Sequence, residues 1–331
     1  MRAVRLHTHG PAENLRYDEI TDPVPGPGQV RIAVAAAGVH VLDTALRRGE
    51  KGPYPEPVPL PTVPGREVAG TVDALGEGTD PAWLGKRVVA HLGMVPGGYA
   101  EFAVTGVERL HELPDGLDEG AAVAMIGTGR TVLGILGYAE PGPDDIVIVT
   151  AAAGGIGTLL TQYAKNAGAT VVALAGGAAK VSHTLASGAD IAVDYRRSDW
   201  PARVRDRLGE RRATIVFDAV GGDTARAAVD LLGPGGRHVV YGWAGEKLHE
   251  GSPLSYTEEE QAERGITSEM IHGPTLLARG GGLRAMEERS LAEAANGRLR
   301  PAVQRFPLAE AAAAHRALEN RGTIGKVVLV P

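Results

Sequence analysis

Residues 146–157, Ile146-Val147-Ile148-Val149-Thr150-Ala151-Ala152-Ala153-Gly154-Gly155-Ile156-Gly157, decide the fold. Four consecutive β-branched residues make an apolar strand, and the Ala and Gly that follow break it into a tight turn that opens a helix. Read as A-x-G-x-x-G, with Ala152, Gly154 and Gly157 in the small-residue positions, the turn lets backbone approach a pyrophosphate at a helix N-terminus. The surroundings complete a βαβ unit of roughly 30 residues: 158–167 reads as a helix and 170–175 (Thr-Val-Val-Ala-Leu-Ala) as a second strand. A phosphate-bearing cofactor is expected on this turn, and a tight βα connection that binds nothing is the plainer alternative.

The end of the second strand bears on which dinucleotide fits. An acidic residue about 20 positions beyond the glycines would grip the ribose 2′-hydroxyl of NAD. This strand ends instead in Ala175-Gly176-Gly177-Ala178-Ala179-Lys180, which leaves room for a 2′-phosphate and sets a cation one helical turn further on. A second basic cluster, Tyr195-Arg196-Arg197, follows the short strand at 191–193. Lysine as a point charge and arginine as a bidentate fork both suit phosphate. NADPH is therefore expected over NADH, against the alternative of a solvated basic surface.

At 331 residues the chain exceeds the size at which single cores stop growing, so two domains are expected. Hydrophobic content of 44% and charged content of 22% are ordinary for a globular protein, while 46 glycines point to many tight turns. The net charge of −6 speaks against a general nucleic-acid binder. With zero cysteines there can be no disulfide and no thiolate metal site. The N-terminal Met1-Arg2-Ala3-Val4-Arg5-Leu6 has no apolar leader character, and no run of roughly 18 apolar residues occurs, so a cytoplasmic protein without a membrane partner is expected.

From residue 1 to about 122 short β-like runs are punctuated by Gly and Pro, at 30–36, 68–75, 87–91 and 98–104, which suggests a mainly-β, barrel-like unit. Proline-rich 51–64 reads as a connector or lid loop. From about 124 strand and helix alternate, with strands at 146, 171, 191, 214–217, 238–241 and 266–271, the pattern of a parallel sheet covered on both faces. Helices at 275–296 and 308–320 and strands at 302–306 and 326–330 form a tail that returns to the first domain. The charged runs 203–212 and 258–264 read as solvated helix faces.

The arrangement resembles the medium-chain dehydrogenase/reductase superfamily, and within it the zinc-free, zeta-crystallin-like NADPH quinone oxidoreductases. The segments that carry the resemblance are Ala37-Gly38-Val39-His40-Val41-Leu42-Asp43-Thr44, Pro64-Gly65-Arg66-Glu67-Val68-Ala69-Gly70-Thr71-Val72, Gly97-Gly98-Tyr99-Ala100-Glu101, residues 151–157, Val193-Asp194-Tyr195-Arg196 and Gly325-Lys326-Val327-Val328-Leu329. The resemblance implies an α/β protein of two parts: a GroES-like, mainly-β catalytic domain from 1–122 and 274–331, and a doubly wound Rossmann domain at 123–273. It further implies a nicotinamide cofactor in the cleft and a homodimer, paired through the strand at 266–271.

Zinc divides the superfamily. Where zinc-dependent relatives supply a cysteine and a histidine, this chain has His40 and Arg66, and a cation at the second position repels Zn²⁺, so no metal is expected. The chemistry implied is hydride transfer from NADPH to an already electrophilic small molecule, a quinone or an α,β-unsaturated carbonyl. By resemblance, Thr131 lies near the nicotinamide, Ala153, Gly154, Gly155, Ile156 and Gly157 line the pyrophosphate, Gly176, Lys180 and Tyr195 hold the 2′-phosphate, Gly242 lies along the nicotinamide half, and Lys326 meets cofactor phosphates. The catalytic candidates are His40, Asp43 and Thr131. His40 stands where relatives carry Asn and could donate a hydrogen bond or a proton to substrate, or simply line the cavity; Asp43 suits an orienting role better than a basic one. Ala45 in place of the relatives' Tyr implies a wider pocket. Two other readings stay open: an enoyl-thioester reductase, and a cofactor-binding protein without turnover.

Overall fold

The computed structural model describes residues 1–50, 59–93, 96–244, 252–271 and 273–331. Of the proline-rich stretch, residues 51–58 lie outside the described residues. The chain forms two compact units, Met1–Gly129 with Glu287–Ala295 and Pro301–Pro331, and Arg130–Met286 with Asn296–Arg300. Residues 123–129, expected with the cofactor domain, thus sit in the first unit, and 274–286 in the second.

The first unit is built on the long strand Gln29–Val39. Val30, Ile32 and Val34 alternate into the core, and from Ala36 to Val39 every residue is buried. This strand pairs antiparallel with Glu67–Leu75, with Phe102–Gly106 and with the C-terminal strand Lys326–Val330. Glu67–Leu75 passes on to Arg87–His91 and that to Leu110–Glu112, while Val303–Pro307 lies parallel to Lys326–Val330 on the other side. Apolar side chains from both ends of the sequence, among them Val4, Ile32, Val72, Tyr99, Leu308 and Leu329, share one core. Burial of these side chains holds the C-terminal tail to a domain otherwise made by the first 129 residues, since each fully buried aliphatic side chain contributes on the order of 2 kcal/mol.

In the second unit six parallel strands take the order Ile191–Asp194, Thr170–Ala175, Ile146–Val149, Ala213–Asp218, Leu232–Val240 and Ile266–Met270. This is the doubly wound order that reverses at its first strand and leaves a crevice beside it for a ligand. Ile146–Val149 is buried at every position, as a central strand covered on both faces must be. Among the described residues no helix is long and apolar enough to cross a membrane.

Most expected elements are present, with instructive departures. The strand expected at 98–104 is only Phe102–Gly106, because Gly97 turns with φ 140° and Tyr99 is drawn into the core. The single helix expected over 275–296 is two, Pro274–Ala278 and Leu283–Ala295, parted at Gly281 and Gly282, which have φ of 78° and 99°. Helix Val41–Arg48 and the wide π-helical turn Ala124–Gly129 were not expected.

Candidate active site

In the second unit the turn after Ile146–Val149 has the form the sequence required. Ala151 takes a left-handed φ of 45°, Gly154 N–H donates to Ala151 O at 2.9 Å, and helix Gly155–Asn166 starts at once. A Cβ on Gly157 would stand 2.5 Å from Ala151 O and 2.6 Å from Ala152 Cα, so only glycine lets helix and strand approach this closely. Ala153 is buried, and Gly154, Gly155 and Ile156 are half-buried around unpaired helix N–H groups, a cradle with the shape and polarity for a pyrophosphate.

At the end of Thr170–Ala175, Gly176 is packed beneath Tyr195, whose hydroxyl lies 3.1 Å from where a Cβ would be. Arg196 reaches over Gly177 in the same way, with a guanidinium nitrogen 2.6 Å from its Cβ position. Asp194 accepts two bonds from the Arg196 guanidinium at 3.0 and 3.1 Å, and these with backbone N–H groups pull its carboxyl down to about 2. Lys180 lies half-buried in the first turn of helix Ala178–Ala186. Gly176 and Tyr195 are thus brought together, Arg196 of the same basic cluster lies over Gly177, and Lys180 begins the helix that follows. Gly242 follows Leu232–Val240, its backbone against Ala219, and Thr131 opens helix Arg130–Leu136.

In the first unit, His40 caps helix Val41–Arg48 in extended conformation. Its backbone N–H donates to Asp43 Oδ2 at 2.8 Å, and the Tyr99 hydroxyl donates to the same oxygen at 2.9 Å. Because the tyrosine proton is spent on Asp43, His315 Nε2, 3.2 Å from that hydroxyl, must carry a proton and donate. Burial pushes the His315 imidazole down to about 4, so it is neutral. Asp43 is 3% exposed and accepts both bonds on Oδ2, an arrangement that suits the orienting role expected of it.

The His40 side chain meets two charges that sequence reading left apart. Glu67, fully buried at the head of its strand, places Oε2 2.7 Å from His40 Nε2 and 2.8 Å from Lys326 Nζ; the two nitrogens are themselves 2.8 Å apart. Glycines make the room: a Cβ at Gly127 would fall 1.5 Å from Glu67 Oε1, and one at Gly38 2.4 Å from Oε2. Burial alone would raise the Glu67 carboxyl, but His40 and Lys326 outweigh it and hold the group well below the usual carboxylate range. The Lys326 ammonium, expected on cofactor phosphates, is instead 5% exposed against Glu67 and His40. A buried carboxylate is costly without a cation, and this strand supplies it. Glu67, Tyr99 and His315 were missed as site residues; a lone acid heading the apolar run Glu67–Leu75 and a lone base heading Lys326–Val330 were the available signal.

The donor set does not fit zinc. With zero cysteines, Arg66 in a ligand position and an ammonium already wedged between His40 and Glu67, a dication would find one imidazole and a carboxylate that is already neutralised. Among the described residues no group of three His, Asp or Glu could hold a metal.

Known proteins resemble the chain along its whole length. Residues 26–115 match the alcohol dehydrogenase GroES-like domain, and 155–269 match the family described as zinc-binding dehydrogenase. The chain is 32% identical to a 2-haloacrylate reductase of a Burkholderia species, over 99% of this chain and 98% of that one. It is 31% identical to a quinone oxidoreductase of Salmonella typhimurium, over 99% of both. The crystal structure of Escherichia coli quinone oxidoreductase complexed with NADPH superposes over 100% of both chains with a TM-score of 0.84 and 28% identity. The chain belongs to the medium-chain dehydrogenase/reductase superfamily, in its quinone oxidoreductase branch.

Proposed function

We propose that the protein is an NADPH-dependent, zinc-independent reductase of activated electrophiles, quinones or α,β-unsaturated carbonyls. The observation that carries the reading is the His40–Lys326–Glu67 cluster: a hydrogen-bonding imidazole backed by a tethered ammonium stands where metal-dependent relatives keep their Lewis acid. Such a site can support negative charge growing on a substrate oxygen, but it lacks the polarising power to activate an ordinary alcohol. That restricts substrates to those already electron-poor.

NADPH, when bound, supplies the hydride. Backbone N–H groups of Gly155 to Gly157 would hold its pyrophosphate, with Ala153 and Gly154 lining the turn, Lys180, Tyr195 and Arg196 would hold the 2′-phosphate, and Gly242 and Thr131 would serve the nicotinamide half. His40, 25% exposed beside a 5% exposed lysine and a fully buried glutamate, is the member of its cluster that faces outward. It donates to the oxygen that gains charge as hydride arrives. Asp43 fixes the His40 backbone through the bond from its N–H, and Tyr99 and His315 hold Asp43.

The Burkholderia relative is named for a haloacrylate, an α,β-unsaturated acid, and the others for quinones; both are conjugated acceptors. We propose further that it acts in the cytoplasm as a homodimer, an assembly for which the edge strand Ile266–Met270, the last of its sheet, is the candidate joint. The test is loss of reduced-nicotinamide absorbance across a panel holding a benzoquinone, an enone, a 2-haloacrylate and an enoyl thioester. Turnover of the first three classes supports the proposal. Turnover of the thioester alone favours an acyl-thioester reductase, and tight NADPH binding with no turnover favours a binding protein.

A further inference from the structure

The three atoms His40 Nε2, Lys326 Nζ and Glu67 Oε2 lie within 2.8 Å of one another. One buried negative charge therefore has two nitrogen bases competing to carry the balancing proton. In water an amine is the stronger base by several orders of magnitude, so the proton settles on Lys326. Adding a second, on His40, would put an imidazolium against an ammonium in a cluster whose inner members are nearly excluded from solvent.

Other charged groups nearby do not change this balance. Asp43 on the same helix turn is held by its own donors, Arg66 adjoins Glu67 in the chain and carries positive charge, and His91, opposite Glu67 on the neighbouring strand, likewise favours the Glu67 carboxylate.

We propose that Lys326 is a positioning residue that keeps His40 a neutral imidazole: by neutralising Glu67 it frees the ring from an ion pair and leaves it able to serve the substrate oxygen. Without Lys326, Glu67 would hold His40 as an imidazolium through its Nε2 proton, and the ring would lose the tethered ammonium behind it. The pairing of Lys326 with Glu67 is then a functional device as well as a fold contact, joining the C-terminal strand to the site. The inference rests on the proposed role of His40 only in its kinetic arm; its charge arm stands alone.

The test is the ¹⁵N spectrum of the His40 ring at neutral pH in the parent, Lys326→Gln, Lys326→Arg and Glu67→Gln/Lys326→Gln. The parent ring is expected to be neutral. In Lys326→Gln the ratio of charged to neutral ring should rise about tenfold or more, as for a titratable group left against an opposite charge. Arginine should restore the neutral ring, and so should the double variant, which removes both charges. Lys326→Met serves if the glutamine variant does not fold, with the same expectation.

An imidazolium in the parent, or a ring that is unchanged in Lys326→Gln and Lys326→Met, overturns the proposal. In kinetics, Lys326→Gln should shift the pH profile of kcat with NADPH affinity unchanged, and Lys326→Arg should keep the parent profile. If the ¹⁵N pattern holds while His40→Ala leaves kcat intact, the charge rule stands and the catalytic reading of His40 fails.

Discussion

Buried His315 makes the first unit sensitive to acid by a calculable amount. Its ring proton is taken up near pH 6.5 in an unfolded chain but only at about 4 in the folded one, because burial disfavours the charged form. The unfolded state therefore binds more protons between these values, so stability rises with pH. The contribution is fully present above the unfolded value, shrinks as pH falls, and is gone below the folded one. A difference of about 2.5 pH units, at 1.36 kcal/mol each, makes this roughly 3 kcal/mol, of which about 2 kcal/mol is lost by pH 5. His315→Gln keeps an N–H that can donate to Tyr99 and has no proton to gain in this range. At neutral pH it should cost about 1 kcal/mol or less. Between pH 7.5 and 5 it should lose about 2 kcal/mol less stability than the parent does. Urea unfolding followed by Trp83 fluorescence, in a Trp200→Phe/Trp243→Phe background, reports on this unit, since Trp83 packs against its core. The carboxylates common to both proteins cancel in the comparison. Equal acid dependence in parent and variant would refute the reasoning.

Lys180→Ala should weaken NADPH about ten- to a hundredfold, from loss of one charge-assisted contact of roughly 1.5 to 3 kcal/mol, and leave NADH nearly unchanged in calorimetry; equal NADPH and NADH affinities in the parent contradict the assignment. His40→Ala should lower kcat about a hundredfold with NADPH affinity intact, and His40→Asn should recover part of it, as an amide can also donate a hydrogen bond to the substrate oxygen; a change below about threefold reduces His40 to pocket wall. Elemental analysis should find no stoichiometric zinc, and chelators should leave folding and activity unchanged, whereas about one zinc per chain overturns the reading of the donor set.

The parts of this molecule that were legible in the sequence are those written locally. Thr170–Ala175, Arg87–His91 and Lys326–Val330 stand where runs of β-branched residues end at Gly, Pro or charge, and the turn before Gly155–Asn166 was specified by its glycines. Helix Val41–Arg48 escaped because Ala37-Gly38-Val39-His40-Val41-Leu42 reads as continuing strand; the break is made by Asp43 reaching back to the His40 N–H. The glycine turn proposed as the cofactor cradle was readable for the same reason of proximity. The heart of the proposed catalytic cluster was not, since Glu67 and Lys326 are 259 residues apart and meet only when antiparallel pairing brings Lys326–Val330 beside Gln29–Val39. Their partnership follows from the cost of burying a carboxylate, which no local pattern displays.

The most direct test of the central claim follows the hydride itself. Chelator-treated protein is given NADPH deuterated at the transferring position of the nicotinamide and an α,β-unsaturated ketone, and the product is examined by mass spectrometry and NMR. The account predicts one deuterium per product on the β-carbon, with the second hydrogen drawn from solvent, and much slower turnover with NADH. Absence of turnover with every conjugated acceptor, or turnover that is lost with the chelator and restored by zinc, would contradict it.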